Sequence, residues 1–161
     1  MADQVECRGL WKIYGKRATE SLAIIEQRGL TKDDAHQELD CVIGVRDASF
    51  TVNQGEIFCI MGLSGSGKST LVRHINRLIE PTAGEVRVNG ELISSLNERA
   101  MRRLRAETIG MVFQHMALWP HRTIRDNVAF GLEIRGVNES ERHHCPNQCQ
   151  VLNFWRTNQY T

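Results

Sequence analysis

Residues 56–71, EIFCIMGLSGSGKSTL, decide the fold. Within them GLSGSGKS, at 62–69, is a complete GxxxxGK[ST] phosphate-binding loop. The apolar run Ile57-Phe58-Cys59-Ile60-Met61 reads as a buried strand entering the loop, and residues 70–73 read as the start of a helix leaving it. Strand, glycine loop and helix together separate a working phosphate loop from a glycine-rich turn with a chance lysine. The glycines let backbone N–H groups turn inward on phosphate oxygens. The helix N-terminus adds partial positive charge, worth about 0.3–1 kcal/mol at an exposed site. In this pattern Lys68 places a point charge on the β- and γ-phosphates, and the Ser69 hydroxyl is a Mg²⁺ ligand.

Upstream, residues 5–14, VECRGLWKIY, read as a strand ending at Gly15. Tyr14 at that end has two readings: a ring that stacks on a nucleobase, or a half-buried strand-end tyrosine. Residues 16–41 form a polar, helix-prone insertion. One helix is expected over 18–27 with Gly29 past its end, and a second opens at Thr31, a capping residue worth about 1 kcal/mol. Residues 42–52 return to strand patterning, and Asn53-Gln54-Gly55 is a turn that brings this strand back toward 57–61 like a hairpin.

Downstream, the helix after the loop is expected to run to about Leu78, with Leu71, Ile75, Leu78 and Ile79 on the side that packs on the sheet. Pro81 stops it. Residues 85–90 form a strand closed by an Asn-Gly turn. Ser95-Leu96-Asn97-Glu98 reads as a capping box opening a basic helix with Arg99, Arg102, Arg103 and Arg105. Residues 108–113, TIGMVF, read as another strand with Gln114 at its end, and Thr123 to Asp126 open a helix that closes near Gly136.

The chain has 161 residues, enough for one domain, with 41% hydrophobic and 24% charged residues. A net charge of +1 gives no electrostatic case for nucleic acid, and the arginines near 99–105 lack the interleaved aromatics of such a site. No apolar run approaches a membrane span. The opening MADQVECRGL carries acids and no apolar segment, so no secretory leader is expected. Five scattered cysteines suit a reducing compartment.

Three stretches carry a family resemblance: GLSGSGKST at 62–70, MVFQHMALWPHRTIRDNVAFG at 111–131, and the pair Tyr14-Gly15. The second holds Gln114 followed by Leu118, Pro120, Thr123, Ile124 and Asn127 in a Leu-x-Pro-x-x-Thr-Ile-x-x-Asn pattern. The chain resembles the ATP-binding subunits of ABC transporters, over about residues 5–142. Within them it looks most like the subunit of glycine betaine/proline betaine importers, whose insertion is similar to IEQRGLTKDDA and GVRDASF.

The resemblance implies the N-terminal part of a P-loop NTPase of the ABC ATPase class, an α/β fold with a mixed sheet and flanking helices. It implies ATP and Mg²⁺ as cofactors. Tyr14 is then the ring that stacks on adenine. Gly62, Ser64, Gly65, Ser66, Gly67 and Lys68 surround the phosphates, Ser69 and Thr70 contact Mg²⁺ and phosphate, and Gln114 reaches the metal and the attacking water. His115 and His121 in the same loop read as surface residues. The implied partners are transmembrane permease subunits, a second ATP-binding subunit and a separate substrate-binding protein. The implied location is peripheral, on the cytoplasmic face of the inner or plasma membrane.

The resemblance stops at residue 142. The family's LSGGQ-like segment, its apolar run ending in Asp-Glu and its later histidine have no counterpart in the sequence, so residues 1–142 read as an incomplete ATP-binding domain. Residues 143–161 read as a non-homologous tail of the kind a frameshift produces. His143, His144, Cys145 and Cys149 match no common zinc spacing. In the family the metal-carboxylate strand lies beside the phosphate-loop strand, so an unpaired edge and an uncovered apolar face are expected at 57–61. Two other readings are a non-hydrolysing nucleotide-binding or interaction chain, and a small-molecule kinase, which the Gln114 pattern disfavours. A turnover assay on a polypeptide of these 161 residues is expected to show little Mg²⁺-dependent phosphate release. Strong release that disappears in Lys68→Ala refutes this.

Overall fold

Strand β1 (Asp3–Tyr14) pairs on both edges, and the sheet is built on it. The computed structural model describes residues 3–113 and 118–144. After β1 come α1 (Ala18–Arg28), α2 (Lys32–Leu39), β2 (Val42–Asn53), α3 (Lys68–Ile75), β3 (Ala83–Val88), β4 (Glu91–Leu92), α4 (Glu98–Glu107), α5 (Ile124–Ile134) and α6 (Glu139–His144). The sheet order is β2-β1-β3-β4, with every described pairing antiparallel. The chain divides into two compact units between Arg102 and Arg103.

In the first unit the core forms where the insertion covers one end of the β1–β2 ladder. Trp11 and Ile13 of β1, Ile43 of β2, Ile25 of α1, Ala35 of α2, and Leu30 and Cys41 are all buried together. Both insertion helices form where the sequence places them. α1 closes on Gly29, and Thr31 opens α2 with a reciprocal capping box, its hydroxyl accepting from Asp34 N while Asp34 accepts from Thr31 N. The hydrogen bond from Thr31 holds the Asp34 carboxyl below its ordinary range. The β3–β4 hairpin turns on Asn89 and Gly90, both at positive φ (50° and 80°), the requirement of a tight two-residue turn.

In the second unit, Thr123 and Asp126 form the capping box of α5. Asn127 accepts from Trp119 N at 2.7 Å and donates to the carbonyls of Trp119, Arg122 and Thr123. The Thr and Asn of the Leu-x-Pro-x-x-Thr-Ile-x-x-Asn pattern thus have local structural roles, since Thr123 caps the helix and Asn127 pins the turn leading into it. Glu133 of α5 takes ion pairs from Arg122 (2.9 Å) and from Arg142 of α6 (3.0 Å). The hydrogen bond from Arg122, with the charges of both arginines, holds its carboxyl below the ordinary range.

Four expectations are corrected. Residues 57–61 form no strand among the described residues; Ile57 is 91% and Met61 90% exposed. Each such side chain forgoes about 1.5–3 kcal/mol of burial. A run that is apolar on both faces belongs inside a sheet covered on both sides, and no such neighbour is supplied among the described residues. Phe58 alone retains a ring contact, stacking on Phe50 of β2 at 4.9 Å. Residues 108–113 likewise form no strand, with Val112 75% exposed. The expected mixed sheet is therefore represented by its antiparallel part.

The third correction concerns the cap of α4. Asn97, not Ser95, accepts from Ala100 N at 2.9 Å, while Ser95 donates to Leu92 O at the end of a short 3-10 turn (Ile93–Ser95). The fourth concerns α3, which stops at Ile75. The turn after it is held by Leu78 N and Ile79 N donating to Arg73 O, and its most buried side chain is His74 rather than an apolar stripe. His74 Nδ1 bonds Ile79 O at 2.7 Å, and Nε2 has no partner among the described residues.

Burial lowers the His74 pKa, with Lys12 acting in the same direction, while the bond to Ile79 O and the charge of Glu80 oppose it. The neutral ring is therefore the folded form, and the unfolded chain binds the extra proton. Stability is fully present above the ordinary histidine value of about 6.5 and declines as pH falls below it toward the depressed folded value. Thermal unfolding followed between pH 7.5 and 5 (about the histidine range) is expected to show this decline, and His74→Leu to flatten it. An unchanged slope in the variant removes His74 as the cause.

Candidate functional site

The phosphate loop sits on β2 through a contact that glycine alone permits. Gly67 adopts φ 94°, and a Cβ there would overlap the carbonyl oxygen of Gly44. Gly67 is also the N-cap of α3 and offers no side chain to cap it. Leu71 N donates to Gly67 O at 2.9 Å, which starts the helix, and the N–H groups ahead of Leu71 in the first turn have no intrahelical acceptor. Those N–H groups and the helix dipole favour an anion at this point.

Lys68 fills the loop from within. Its Nζ donates to Gly62 O and Leu63 O at 2.7 Å each and to Ser66 Oγ at 3.3 Å. Ser66 N closes the turn on Leu63 O at 3.2 Å. Ser64, Gly65 and Ser69 are exposed around it.

Tyr14 reaches the same place from the end of β1. Its hydroxyl lies 3.5 Å from Thr70 Oγ1, and its ring packs over Gly44, where a Cβ would come within 2.7 Å of Cε2. The ring is 41% exposed, and the Lys12 ammonium lies 5.2 Å from its centroid. The structure thus brings Tyr14, residues 62–69 and Thr70 together. Gln114, the remaining sequence-predicted site residue, and His115 lie outside the described residues, as do 145–161 of the tail.

Next to the loop is a cleft of about 300 Å³, lined by Gly44, Val45, Arg46, Ile60, Ser66, Gly67, Lys68 and, from α2, Lys32. The sequence pattern did not mark Gly44, Lys12 or Lys32 as site residues. Gly44 carried a weak signal, a glycine interrupting a strand pattern, which often marks close backbone approach.

The groups present suit a nucleotide polyphosphate: open helix-terminal N–H groups, a lysine ammonium and a ring at the edge. For Mg²⁺ the described residues supply the exposed hydroxyl of Ser69 at the helix start, and no cluster of three or more His, Cys, Asp or Glu occurs among them. That suffices for an ion that keeps several waters and takes most other ligands from phosphate.

Comparison with known proteins agrees with this geometry. The family model described as ABC transporter matches residues 45–159. The chain is 48% identical over 142 residues to the glycine betaine/proline betaine transport system ATP-binding protein ProV of Escherichia coli (strain K12), covering 88% of this chain and 35% of ProV. It is 49% identical over 139 residues to the glycine betaine/carnitine transport ATP-binding protein GbuA of Listeria monocytogenes, covering 86% and 35%. The chain thus spans about a third of the length of these curated relatives. Among solved structures, the ATP-binding cassette MJ0796, described as a dimer in a post-hydrolysis state bound to ADP and Pi, superimposes with a TM-score of 0.69 at 26% identity, covering 90% of this chain and 55% of that one.

The seating of the loop is directly testable. Gly67→Ala is expected to destabilise the first unit by about 1–3 kcal/mol through backbone strain alone, with the overlap at Gly44 adding to it, and to abolish phosphate-ligand binding. A variant with wild-type unfolding and binding would show that the loop does not depend on this contact.

Proposed function

The chain belongs to the ABC transporter family, and from that premise we propose that it carries the nucleotide half-site of the energising subunit of an importer for glycine betaine, proline betaine or related quaternary amines. The observation that carries the nucleotide part is the loop seated on Gly44, with its helix N-terminus open and Lys68 held inside it. The substrate class rests on the relatives, ProV and GbuA, which are described as ATP-binding proteins of betaine transport systems.

In this reading the N–H groups of the loop and of the first turn of α3 hold the phosphate oxygens. Lys68 exchanges its loop carbonyls for the β- and γ-phosphates. Ser69 offers its hydroxyl to Mg²⁺, Thr70 contacts phosphate, and Tyr14 presents its ring to adenine. Gln114 positions the attacking water and the metal. Mg²⁺, when bound with the nucleotide, neutralises phosphate charge and fixes the geometry of the tail.

A subunit of this kind works as a pair, beside permease subunits in the membrane. The dimeric state described for MJ0796 and the transport-system names of the relatives support this. No helix among the described residues is long and apolar enough to cross a membrane; from the transport-system names of the relatives we place the subunit peripherally, on the cytoplasmic face. A separate substrate-binding protein would deliver the amine.

Titration of the chain with fluorescent ATP and Mg²⁺ tests the nucleotide part. Binding is expected, with loss in Lys68→Ala. Tyr14→Ala is expected to weaken binding by about tenfold and Tyr14→Trp to keep it, from a base-stacking contribution of about 1–3 kcal/mol. No binding by the wild-type chain, or equal binding by Lys68→Ala, overturns the reading. Uptake of labelled glycine betaine, lost when the chromosomal copy carries Lys68→Ala, tests the substrate class.

A further inference from the structure

We propose that Lys32, at the start of α2, is a second cation of the nucleotide site and contacts the bound polyphosphate from the insertion side. The proposal rests on the nucleotide reading above and adds a residue that the phosphate-loop motif does not contain.

Two features of the cleft beside the loop support it. Lys32 lines this cleft together with Ser66, Gly67 and Lys68, although it stands more than thirty residues away from them in sequence. Of the three cations lining the cleft, the other two already have partners within the protein, which Lys68 must exchange before it meets phosphate. Arg46 donates to Leu30 O at 2.6 Å and lies over the Trp11 ring, and Lys68 is bonded to its own loop. Lys32 has no hydrogen-bond or ion-pair partner among the described residues.

The segment that carries Lys32 is firmly held. Leu30 is buried in the core and its carbonyl is gripped by Arg46 of β2. Thr31 and Asp34 fix the first turn of α2, and Arg28 of α1 pairs with Glu38 of α2 at 2.7 Å. The backbone that presents Lys32 is therefore set by the fold before any ligand arrives.

Helix stability does not account for a lysine at this position. A cation in the first turn opposes the helix dipole, which favours acids there. Asp33 and Asp34 occupy that acidic role and neither lines the cleft. Lys32 alone of the first turn does, next to residues whose N–H groups are open to an anion. Its four-carbon stem gives the ammonium reach and freedom to follow a flexible phosphate tail.

The experiment compares affinities of the 161-residue chain for ATP, ADP and adenosine, each with Mg²⁺, in wild type, Lys32→Gln, Lys32→Arg and Arg99→Gln. Arg99 is exposed on α4 and controls for the loss of one net charge. Far-UV circular dichroism and thermal unfolding confirm that each variant is folded; loss of a surface lysine at a capped helix start is not expected to alter either.

Lys32→Gln is expected to weaken ATP binding by about fivefold, the effect of one partly solvated ion pair. ADP should lose less and adenosine nothing, Lys32→Arg should restore the loss, and the difference should fade at high salt. ATP affinity equal in wild type and Lys32→Gln while Lys68→Ala still abolishes binding overturns the role of Lys32 and leaves the nucleotide reading standing. An equal loss for adenosine also overturns it, because the effect would not be on phosphate. A wild-type chain that binds no nucleotide refutes the underlying reading itself.

Discussion

The close approach of Gly67 to the carbonyl of Gly44 is the contact on which the site depends. It presses the phosphate loop onto β2, and β2 is in turn registered against β1 from Asn53 to Val42. That ladder carries Tyr14 to the same point, where Gly44 lacks a side chain and so leaves room for the tyrosine ring. One glycine on β2 thus serves two neighbours: its oxygen receives the loop and its empty face receives Tyr14. A Cβ at either glycine would drive apart the ring and the loop, so the nucleotide half-site is defined by backbone proximity before any charged group acts.

Against this well-set edge stands the exposed run at 57–61. The phosphate loop is anchored from β2 and from α3, and not from the apolar segment that precedes it. A buried parallel strand needs neighbours on both edges and layers on both faces, and its hydrogen bonds form late because their partners are distant in sequence. The antiparallel ladder of β1 with β2 and β3, by contrast, is supported by the insertion helices and by a tight hairpin. The local part of the fold therefore forms around the loop, while the apolar segment entering it remains a surface of unsatisfied burial. Exposed apolar edges of this kind promote association between chains.

What could be read from sequence divides along the same line. The caps at Thr31 and Thr123, the Asn89-Gly90 turn, the end of α1 at Gly29 and the phosphate loop itself are local features, in which a few adjacent residues specify their own geometry. They are found where the residue pattern places them. The strands at 57–61 and 108–113 are specified by partners rather than by their own residues, and apolarity alone did not secure them. His74 gave no signal in the sequence because its neighbours on α3 suggest an apolar stripe, and nothing local shows that a histidine occupies the most buried position. Ser95 and Asn97 are both good capping residues, and only Ser95 has a glutamate three residues on, yet the 3-10 turn that consumes Ser95 leaves the cap to Asn97. Lys32 could not be placed at the loop from sequence, since about thirty residues of fold lie between them.

The self-occupied loop bears on how such a site can bind at all. Lys68 makes three hydrogen bonds to its own loop. These must be exchanged when phosphate enters, so the lysine contributes the difference between phosphate and carbonyl partners, not its full interaction. The groups that gain outright are those left open: the first-turn N–H groups of α3, which have no intrahelical acceptor, and the cleft facing them. Affinity then comes from backbone donors held in place by Gly67 together with Lys68, whose bonds to Gly62 O and Leu63 O also keep the loop shaped around a positive charge. Gly67 at φ 94° and the bonds of Lys68 fix the shape of the loop, and this lowers the ordering cost that a flexible glycine-rich segment would otherwise impose on its ligand.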